Sequence, residues 1–80
     1  MAKRYLLYTL SDCDFCTDAK ELLTRNNISF YDFVLDEDPE FLSEVKEFYN
    51  YQFVPAIVEN DEETGETKFI GGFEDLKGVV

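Results

Sequence analysis

An apolar segment without polar alternation, Arg4–Thr9, lies near the start of the chain and is rich in Tyr and Leu. Strands covered on both faces have this pattern, whereas strands that face water alternate apolar with polar residues. Ser11 and Asp12 end the segment, and apolar residues at helical spacing follow from Cys16 to Leu23. A buried strand that leads directly into a helix predicts a layered α/β fold.

The rest of the chain continues to alternate strand and helix patterns. The predicted elements after the first helix are a strand at Ser29–Leu35, a helix from Pro39 to about Asn50, a strand at Ala56–Val58, a strand at Thr67–Ile70 and a terminal helix at Phe73–Val80. The order β-α-β-α-β-β-α makes the first two strands parallel and the last two an antiparallel hairpin around the polar region Asn60–Gly65. We therefore expect one domain, residues 1–80, with a four-stranded mixed sheet and helices on its faces.

Both longer helices carry recognisable end signals. Asp38 followed by Pro39 is an N-cap followed by the proline that the first helical position tolerates. Asn26-Asn27 supplies residues that accept the left-handed conformation at the end of the first helix. The second helix is predicted to pack on the sheet through an apolar stripe of Phe41, Leu42, Val45, Phe48 and Tyr49.

The charge of the chain limits the class of partner. Eighteen Asp and Glu residues against seven Lys and Arg give a net charge of −11, while eight Phe and five Tyr indicate a folded globule rather than a disordered acidic chain. Such a surface repels phosphate backbones and anionic lipid heads. We therefore expect no nucleic acid and no membrane partner, and favour basic protein surfaces.

Two charged segments have compositions that could mark a targeting signal or a binding site. Lys3 and Arg4 precede the apolar Tyr5–Leu10, but this stretch is shorter than a secretory core and no small-residue cleavage site follows it. We therefore predict a cytoplasmic location. The acidic run Asp61–Glu66 is predicted to be a solvated hairpin tip without a specific role.

Cys13 and Cys16 are the two cysteines of the chain, and it contains no histidine. Cys and His from one chain therefore cannot complete a zinc site, and a bridge over so short a loop restricts the unfolded chain very little. The pair lies where a helix begins after a strand. Free N–H groups and the positive end of the helix dipole there are expected to lower the pKa of Cys13, which makes it the nucleophile, with Cys16 as the resolving thiol.

Three short motifs follow one another along the chain: Cys13-Asp14-Phe15-Cys16, Phe53-Val54-Pro55 and Gly71-Gly72-Phe73-Glu74-Asp75. Their order and separations are similar to those of the glutaredoxin family. In that family a Cys-x-x-Cys follows the first strand, Thr-Val-Pro follows the second helix, and Gly-Gly shortly before an acidic residue ends the fourth strand. The whole chain resembles a short dithiol glutaredoxin, a group with some members encoded by bacteriophages. The resemblance implies a thioredoxin-like fold, thiol–disulfide oxidoreductase activity, no tightly bound cofactor, and glutathione as reductant.

The resemblance also implies a substrate groove. A cis Val54-Pro55 bond would leave the Val54 backbone free to pair with an extended peptide. N–H groups exposed at Gly71-Gly72 would hold the γ-glutamyl carboxylate of glutathione, and Phe15, Phe53 and Phe73 are candidates for the rim. The candidate substrate-binding residues are Phe15, Val54, Pro55, Gly72, Phe73, Glu74 and Asp75.

Departures from the family pattern predict a weaker contact with glutathione. Leu10 stands three residues before Cys13, where many glutaredoxins carry a Lys that meets the glycine carboxylate of glutathione. Asp14 replaces the usual Pro, and Asp12 precedes Cys13. At roughly 7 Å in water each carboxylate would cost a thiolate on the order of 0.5 kcal/mol. Glutathione is itself a net anion, so its turnover is expected to be poor and sensitive to salt.

Other functions remain compatible with the sequence. A thioredoxin-like reductant recycled by a flavin reductase is consistent with Leu10 and the acidic motif. A module in which two chains share a zinc ion or an iron–sulfur cluster through their cysteines is a second alternative, and an inert adaptor is a third. For the redox functions, ribonucleotide reductase is one expected client among disulfide-bearing proteins, and we expect a monomer.

Overall fold

The computed structural model describes residues 3–80. Its elements are β1 Lys3–Thr9, α1 Asp14–Arg25, β2 Phe30–Val34, α2 Pro39–Tyr49, β3 Ala56–Asp61, β4 Thr67–Gly71 and α3 Phe73–Lys77. The strands form one sheet in the order β2-β1-β3-β4. β1 pairs in parallel with β2, while β3 is antiparallel to both β1 and β4. The predicted order of elements and the four-stranded mixed sheet are confirmed.

The main core lies between one face of the sheet and helices α1 and α3, which also contact each other. Its buried members are Tyr5, Leu7, Ala19, Leu23, Ile57 and Leu76. Fully burying a Leu or Ile side chain contributes about 1.5–3 kcal/mol, so this layer holds both helices firmly on the sheet. Burial, followed by the hydrogen bond from its hydroxyl to Glu59 at 2.8 Å and the charge of that carboxylate, raises the pKa of Tyr5 to about 12.

The two faces of β1 are covered unequally. Tyr5, Leu7 and Thr9 are buried, whereas Leu6 and Tyr8 on the opposite face are half-buried. On that opposite side Tyr8 meets Phe41 of α2, with ring centroids 6.0 Å apart. Coverage on both faces is as predicted, but a single helix of eleven residues covers less of its face than α1 and α3 cover of theirs.

The apolar stripe predicted for α2 is only partly buried. Leu42 and Val45 are buried, whereas Phe41 is 40% and Phe48 79% exposed. Since successive helical residues are about 100° apart, Phe41 and Phe48 share one edge of the stripe, about 100–120° around the axis from Leu42. The prediction that the whole stripe packs on the sheet is therefore wrong at this edge.

The predicted cap of α2 is present, because Asp38 Oδ1 accepts a hydrogen bond from the Phe41 N–H at 3.1 Å. Asn27, just beyond α1, has the predicted left-handed conformation with a φ of 57°. Boundaries of five elements differ from prediction: β1 begins one residue earlier, β2 loses one residue at each end, β3 continues to Asp61, β4 gains one residue, and α3 stops at Lys77. Pairing of Glu59 with Lys68 and of Asn60 with Thr67 extends β3 through polar residues and shortens the predicted turn.

Among residues 3–80, none of the helices is long and apolar enough to cross a membrane.

Candidate functional site

Three chain segments meet at one edge of the sheet. Tyr8 near the end of β1 pairs with Ala56 at the start of β3, and Ile57 pairs with Gly71 at the end of β4. The ends of β1 and β4 and the start of β3 therefore share this edge. The three motifs singled out in the sequence follow β1, precede β3 and follow β4, so the topology alone brings them together.

Cys13 is the N-cap of α1. Its backbone is extended, with a φ of −152° and a ψ of 108°, and its Sγ accepts a hydrogen bond from the Cys16 N–H at 3.1 Å. The first N–H groups of a helix have no partner within the helix, and a side-chain acceptor at the N-cap satisfies one of them. The sulfur therefore lies at the positive end of the helix dipole, where a thiolate is favoured.

Cys13 and Cys16 form a disulfide, with their Cα atoms 5.3 Å apart. Their accessibility differs: Cys13 is half-buried, whereas Cys16 is 1% exposed. A substrate sulfur can approach Cys13 from solvent, while Cys16 is reached from within the protein. The structure thus brings the predicted pair together, and the assignment of Cys13 as nucleophile stays a prediction.

A groove of about 240 Å³ lies beside the disulfide. Its lining residues are Phe15, Tyr51, Phe53, Val54, Pro55, Gly72, Phe73, Glu74 and Asp75. The carbonyl oxygen of Val54 is 3.9 Å from Cys13 Sγ, which places the groove next to this sulfur. All seven candidate substrate-binding residues therefore surround one cavity, and the Val54-Pro55 bond is cis as expected. Their role in binding stays a prediction.

The aromatic side chains at the groove are largely accessible. Phe15 is 59% and Phe53 69% exposed, while Phe73 is half-buried and also packs against the core. The rings of Phe15 and Phe73 stack with centroids 6.2 Å apart. Phe15 and Phe53 thus lie at the rim, where the sequence placed them.

Tyr51 also lines the groove, and no motif in the sequence predicted this position for it. The centroid of its ring lies 5.7 Å from the centroid of the Phe53 ring. Burial, followed by the negative charge of Asp75, raises the pKa of Tyr51. The local sequence around Tyr51 does not show that it lines the groove. Its position there depends on Gly72 and Asp75, which the chain brings back to this place after β4.

The Gly72 N–H is not open to an incoming anion, and this corrects the expectation for that residue. It donates a hydrogen bond to Asp75 Oδ2 at 2.9 Å. Asp75 is the third residue of α3, a position from which an acidic side chain reaches back to the N-cap N–H. The carboxylate of a substrate would have to displace Asp75 at this donor and would meet its charge.

Two polar contacts that the sequence did not reveal hold the loop that carries the first cysteine. The Ser11 backbone N–H donates to Asp36 Oδ1 at 2.9 Å, and the Ser11 hydroxyl donates to Asp36 Oδ2. These hydrogen bonds, from the hydroxyl first and the backbone second, hold the pKa of Asp36 below its usual value. They tie the segment between β1 and α1 to the segment that follows β2.

A second polar network fixes α1 to the sheet. Thr9, fully buried at the end of β1, donates through its hydroxyl to Asp32 Oδ1 at 2.5 Å. The other oxygen of Asp32 is 2.8 Å from Lys20 Nζ on α1. The sequence indicates this network only through Asp32, an acidic residue in the middle of the aromatic strand β2.

No cluster of three or more His, Cys, Asp or Glu side chains in residues 3–80 is arranged to hold a metal ion. The alternative of a metal or cluster shared between two chains stays a prediction.

The family model described as Glutaredoxin matches residues 5–63. This chain belongs to the glutaredoxin family. A glutaredoxin from Pseudomonas aeruginosa is 34% identical to it over 74 residues, which cover 92% of this chain and 81% of that protein. The chain is thus a glutaredoxin-type thiol–disulfide oxidoreductase with a redox pair at Cys13 and Cys16.

Solved structures confirm the thioredoxin-like fold. Wheat glutaredoxin superimposes with a TM-score of 0.80 at 28% identity, covering 94% of this chain and 67% of that one. A thioredoxin-like protein gives a TM-score of 0.67 at 26% identity, covering 96% of this chain and all of the other. The glutaredoxin of Brucella melitensis, at 23% identity, shares the fold with a TM-score of 0.70 over 98% of this chain and 78% of its own.

Gly72→Ala is expected to destabilise this glutaredoxin through Tyr51. A Cβ at position 72 would lie 2.5 Å from Tyr51 Oη, so the phenol must move into the groove, at a cost of about 1–2 kcal/mol. In a Tyr51→Phe background the nearest atom of that ring would be 3.7 Å away, an ordinary contact. Denaturant unfolding of the wild type, the two single variants and the double variant measures the coupling energy between positions 72 and 51. An equal loss of unfolding free energy on Gly72→Ala in both backgrounds would contradict the contact with the Tyr51 hydroxyl.

Proposed function

We propose that this protein is a dithiol glutaredoxin that reduces protein disulfides and glutathione mixed disulfides through Cys13 and Cys16, with glutathione as its reductant. The observation that carries the proposal is the position of Cys13. Its Sγ accepts the Cys16 N–H at the start of α1 and lies 3.9 Å from the Val54 carbonyl oxygen of the groove. A thiolate stabilised at a helix start beside an accessible groove is suited to attack a disulfide.

The proposed reaction is two successive thiol–disulfide exchanges. The Cys13 thiolate attacks one sulfur of the substrate disulfide, and the other substrate sulfur leaves with the electron pair and takes up a proton. Cys16, as a thiolate, then attacks the sulfur of Cys13 and releases the second substrate sulfur as a thiol. The resulting Cys13–Cys16 disulfide is reduced by two glutathione molecules, which leave as glutathione disulfide.

The groove supports binding of an extended segment of substrate. Val54 and Pro55 precede β3 and line the groove, and a peptide laid along this backbone would pair with it as an added strand does. We propose disulfide-bearing proteins and glutathione as the partners. Ribonucleotide reductase as a client, a monomeric state and a cytoplasmic location stay predictions.

A thioredoxin-like reductant recycled by a flavin reductase is the second candidate function. Two observations favour it: Leu10 stands where many family members carry a lysine for glutathione, and Asp75 occupies the Gly72 N–H. Both weaken contacts to the carboxylates of glutathione, and neither affects the exchange chemistry of Cys13.

A recycling assay separates the two candidates. The oxidised protein is mixed either with glutathione, glutathione reductase and NADPH, or with a thioredoxin reductase and NADPH, and NADPH consumption is followed. We expect slow recycling that depends on glutathione. Recycling by the flavin reductase alone would reject glutathione as the reductant while retaining the oxidoreductase, and recycling by neither would reject the redox proposal.

Leu10→Lys is expected to raise glutathione turnover about three- to fivefold at low ionic strength. One added positive charge at about 4–7 Å in water attracts an anion by about 0.6–1 kcal/mol, which corresponds to this change in rate. The wild-type rate should rise with modest salt, which screens the repulsion between like charges, and the variant should respond less. Thr64→Lys at the exposed hairpin tip changes the net charge equally and serves as the control. Equal rates and flat salt responses in wild type and Leu10→Lys would show that glutathione is not held near position 10.

A further inference from the structure

We propose that the groove beside Cys13 selects disulfide substrates that carry an arginine or lysine next to the reacting cysteine, and that Glu74 recognises this cation. The inference rests on the proposed function, since it requires Cys13 to attack a disulfide held in the groove. It adds a charge preference that Glu74 and the adjoining ring impose on the substrate.

Carboxylates dominate the charge around the reacting sulfur. Glu74 and Asp75 line the groove, and Asp12 and Asp14 flank Cys13 in the chain. All four residues are exposed. Among the described residues that line the groove there is no lysine or arginine. A cationic substrate is therefore attracted to Cys13 and an anionic one repelled.

The shape of the rim suits the side chain of a basic residue. Phe15 and Phe73 stack beside the groove, and Glu74 follows Phe73 directly in the chain. Arginine and lysine combine an apolar stem, which covers aromatic surface, with a cationic head that can lie over a ring face or pair with a carboxylate. A ring next to a carboxylate offers partners to both parts of such a side chain.

The protein already holds a cation on these two groups. Lys77 Nζ lies 5.5 Å from the centroid of the Phe73 ring and 3.6 Å from Glu74 Oε1. The Lys77 and Glu74 side chains are 53% and 77% exposed, and an ion pair this exposed contributes little to stability. A substrate cation can therefore replace Lys77. A guanidinium would also bind the carboxylate through two N–H groups and stack on the ring, which an ammonium does not.

Three peptides of equal length test the proposal, each with an internal disulfide and with Arg, Gln or Glu next to one cysteine. The protein is reduced, separated from the reductant, and mixed with each peptide for a single turnover, so that glutathione plays no part. We expect the Arg peptide to react about tenfold faster than the Glu peptide at low ionic strength, with the ratio falling as salt is added.

Substitutions locate the preference. Glu74→Gln is expected to lower the Arg-to-Glu rate ratio to about threefold, and Lys77→Gln to raise the rate with the Arg peptide by freeing Glu74. Glu63→Gln, at the exposed hairpin tip, makes the same change in net charge and should keep the full ratio. The inference would be overturned if the Arg-to-Glu rate ratio did not change in Glu74→Gln, or if it fell equally in Glu63→Gln. Equal wild-type rates with the Arg and Glu peptides would also overturn it. If the protein reduced none of the three peptides, the proposed function itself would be rejected.

Discussion

Cys13→Ser is expected to abolish reduction of a protein disulfide, whereas Cys16→Ser is expected to accumulate a covalent complex with the substrate. Cys13 is half-buried at the start of α1, with its sulfur on a helix N–H, and Cys16 is 1% exposed behind it. The first exchange requires the accessible sulfur, and the second requires the buried one. Without Cys16 the mixed disulfide on Cys13 has no internal thiol to resolve it.

Mass spectrometry under non-reducing conditions measures the trapped complex, and the thiol released from a peptide disulfide measures the activity. Both variants lack the Cys13–Cys16 bridge, so each serves as the stability control for the other, and a Cys13→Ser/Cys16→Ser double variant gives the background. A complex trapped by Cys13→Ser, with none from Cys16→Ser, would reverse the assignment of the two roles.

The order of the elements was predictable because each has a strong local pattern. The aromatic segment of β2 and the Asp38-Pro39 start of α2 gave correct elements with boundaries within one or two residues. β3 was predicted three residues too short, because its polar end is held by backbone pairing with β4 and not by an apolar pattern. The pattern of apolar residues predicts that a strand is present. Where the strand ends depends on its pairing with residues distant in the chain.

The motifs of the candidate site were predictable for a topological reason. Each lies at the end or the start of a strand, and the strand directions place all three at one edge of the sheet. The resemblance to glutaredoxins supplied the functions of these segments, which spacing alone did not give. Local motifs and strand order therefore explain why the three segments meet, whereas the groove between them was predicted from the resemblance.

The missed features depend on contacts between distant parts of the chain. Tyr51 reaches the groove only because the chain returns there after β4, and Ser11 meets Asp36 across two segments that follow neighbouring strands. Asp75 is different, because it contacts the Gly72 N–H only three residues away. The acidic third helical residue was visible in the sequence, but its carboxylate was assigned to substrate instead of to the backbone.

Gly71→Ala is expected to be strongly destabilising, by about 3 kcal/mol or more. Gly71 has a φ of 123°, a conformation that costs a residue with a Cβ about 1–3 kcal/mol. A Cβ at this position would also overlap the carboxylate oxygen of Asp75, and would lie 2.8 Å from its Cγ. Overpacking adds about 1–3 kcal/mol. Asp75 would have to move, and its hydrogen bond to the Gly72 N–H would be lost.

Gly65→Ala is the matched control for the backbone cost of Gly71→Ala. Gly65 also has a positive φ, of 77°, but a Cβ there meets no atom within 4 Å, so we expect a cost of about 1 kcal/mol. Thermal unfolding resolves the difference, because each kcal/mol shifts the Tm of a domain this size by about 4–8 °C. If the overlap is the cause, Gly71→Ala and Asp75→Ala together should cost less than the sum of their separate costs. Equal losses in Gly71→Ala and Gly65→Ala would show that Asp75 does not confine position 71.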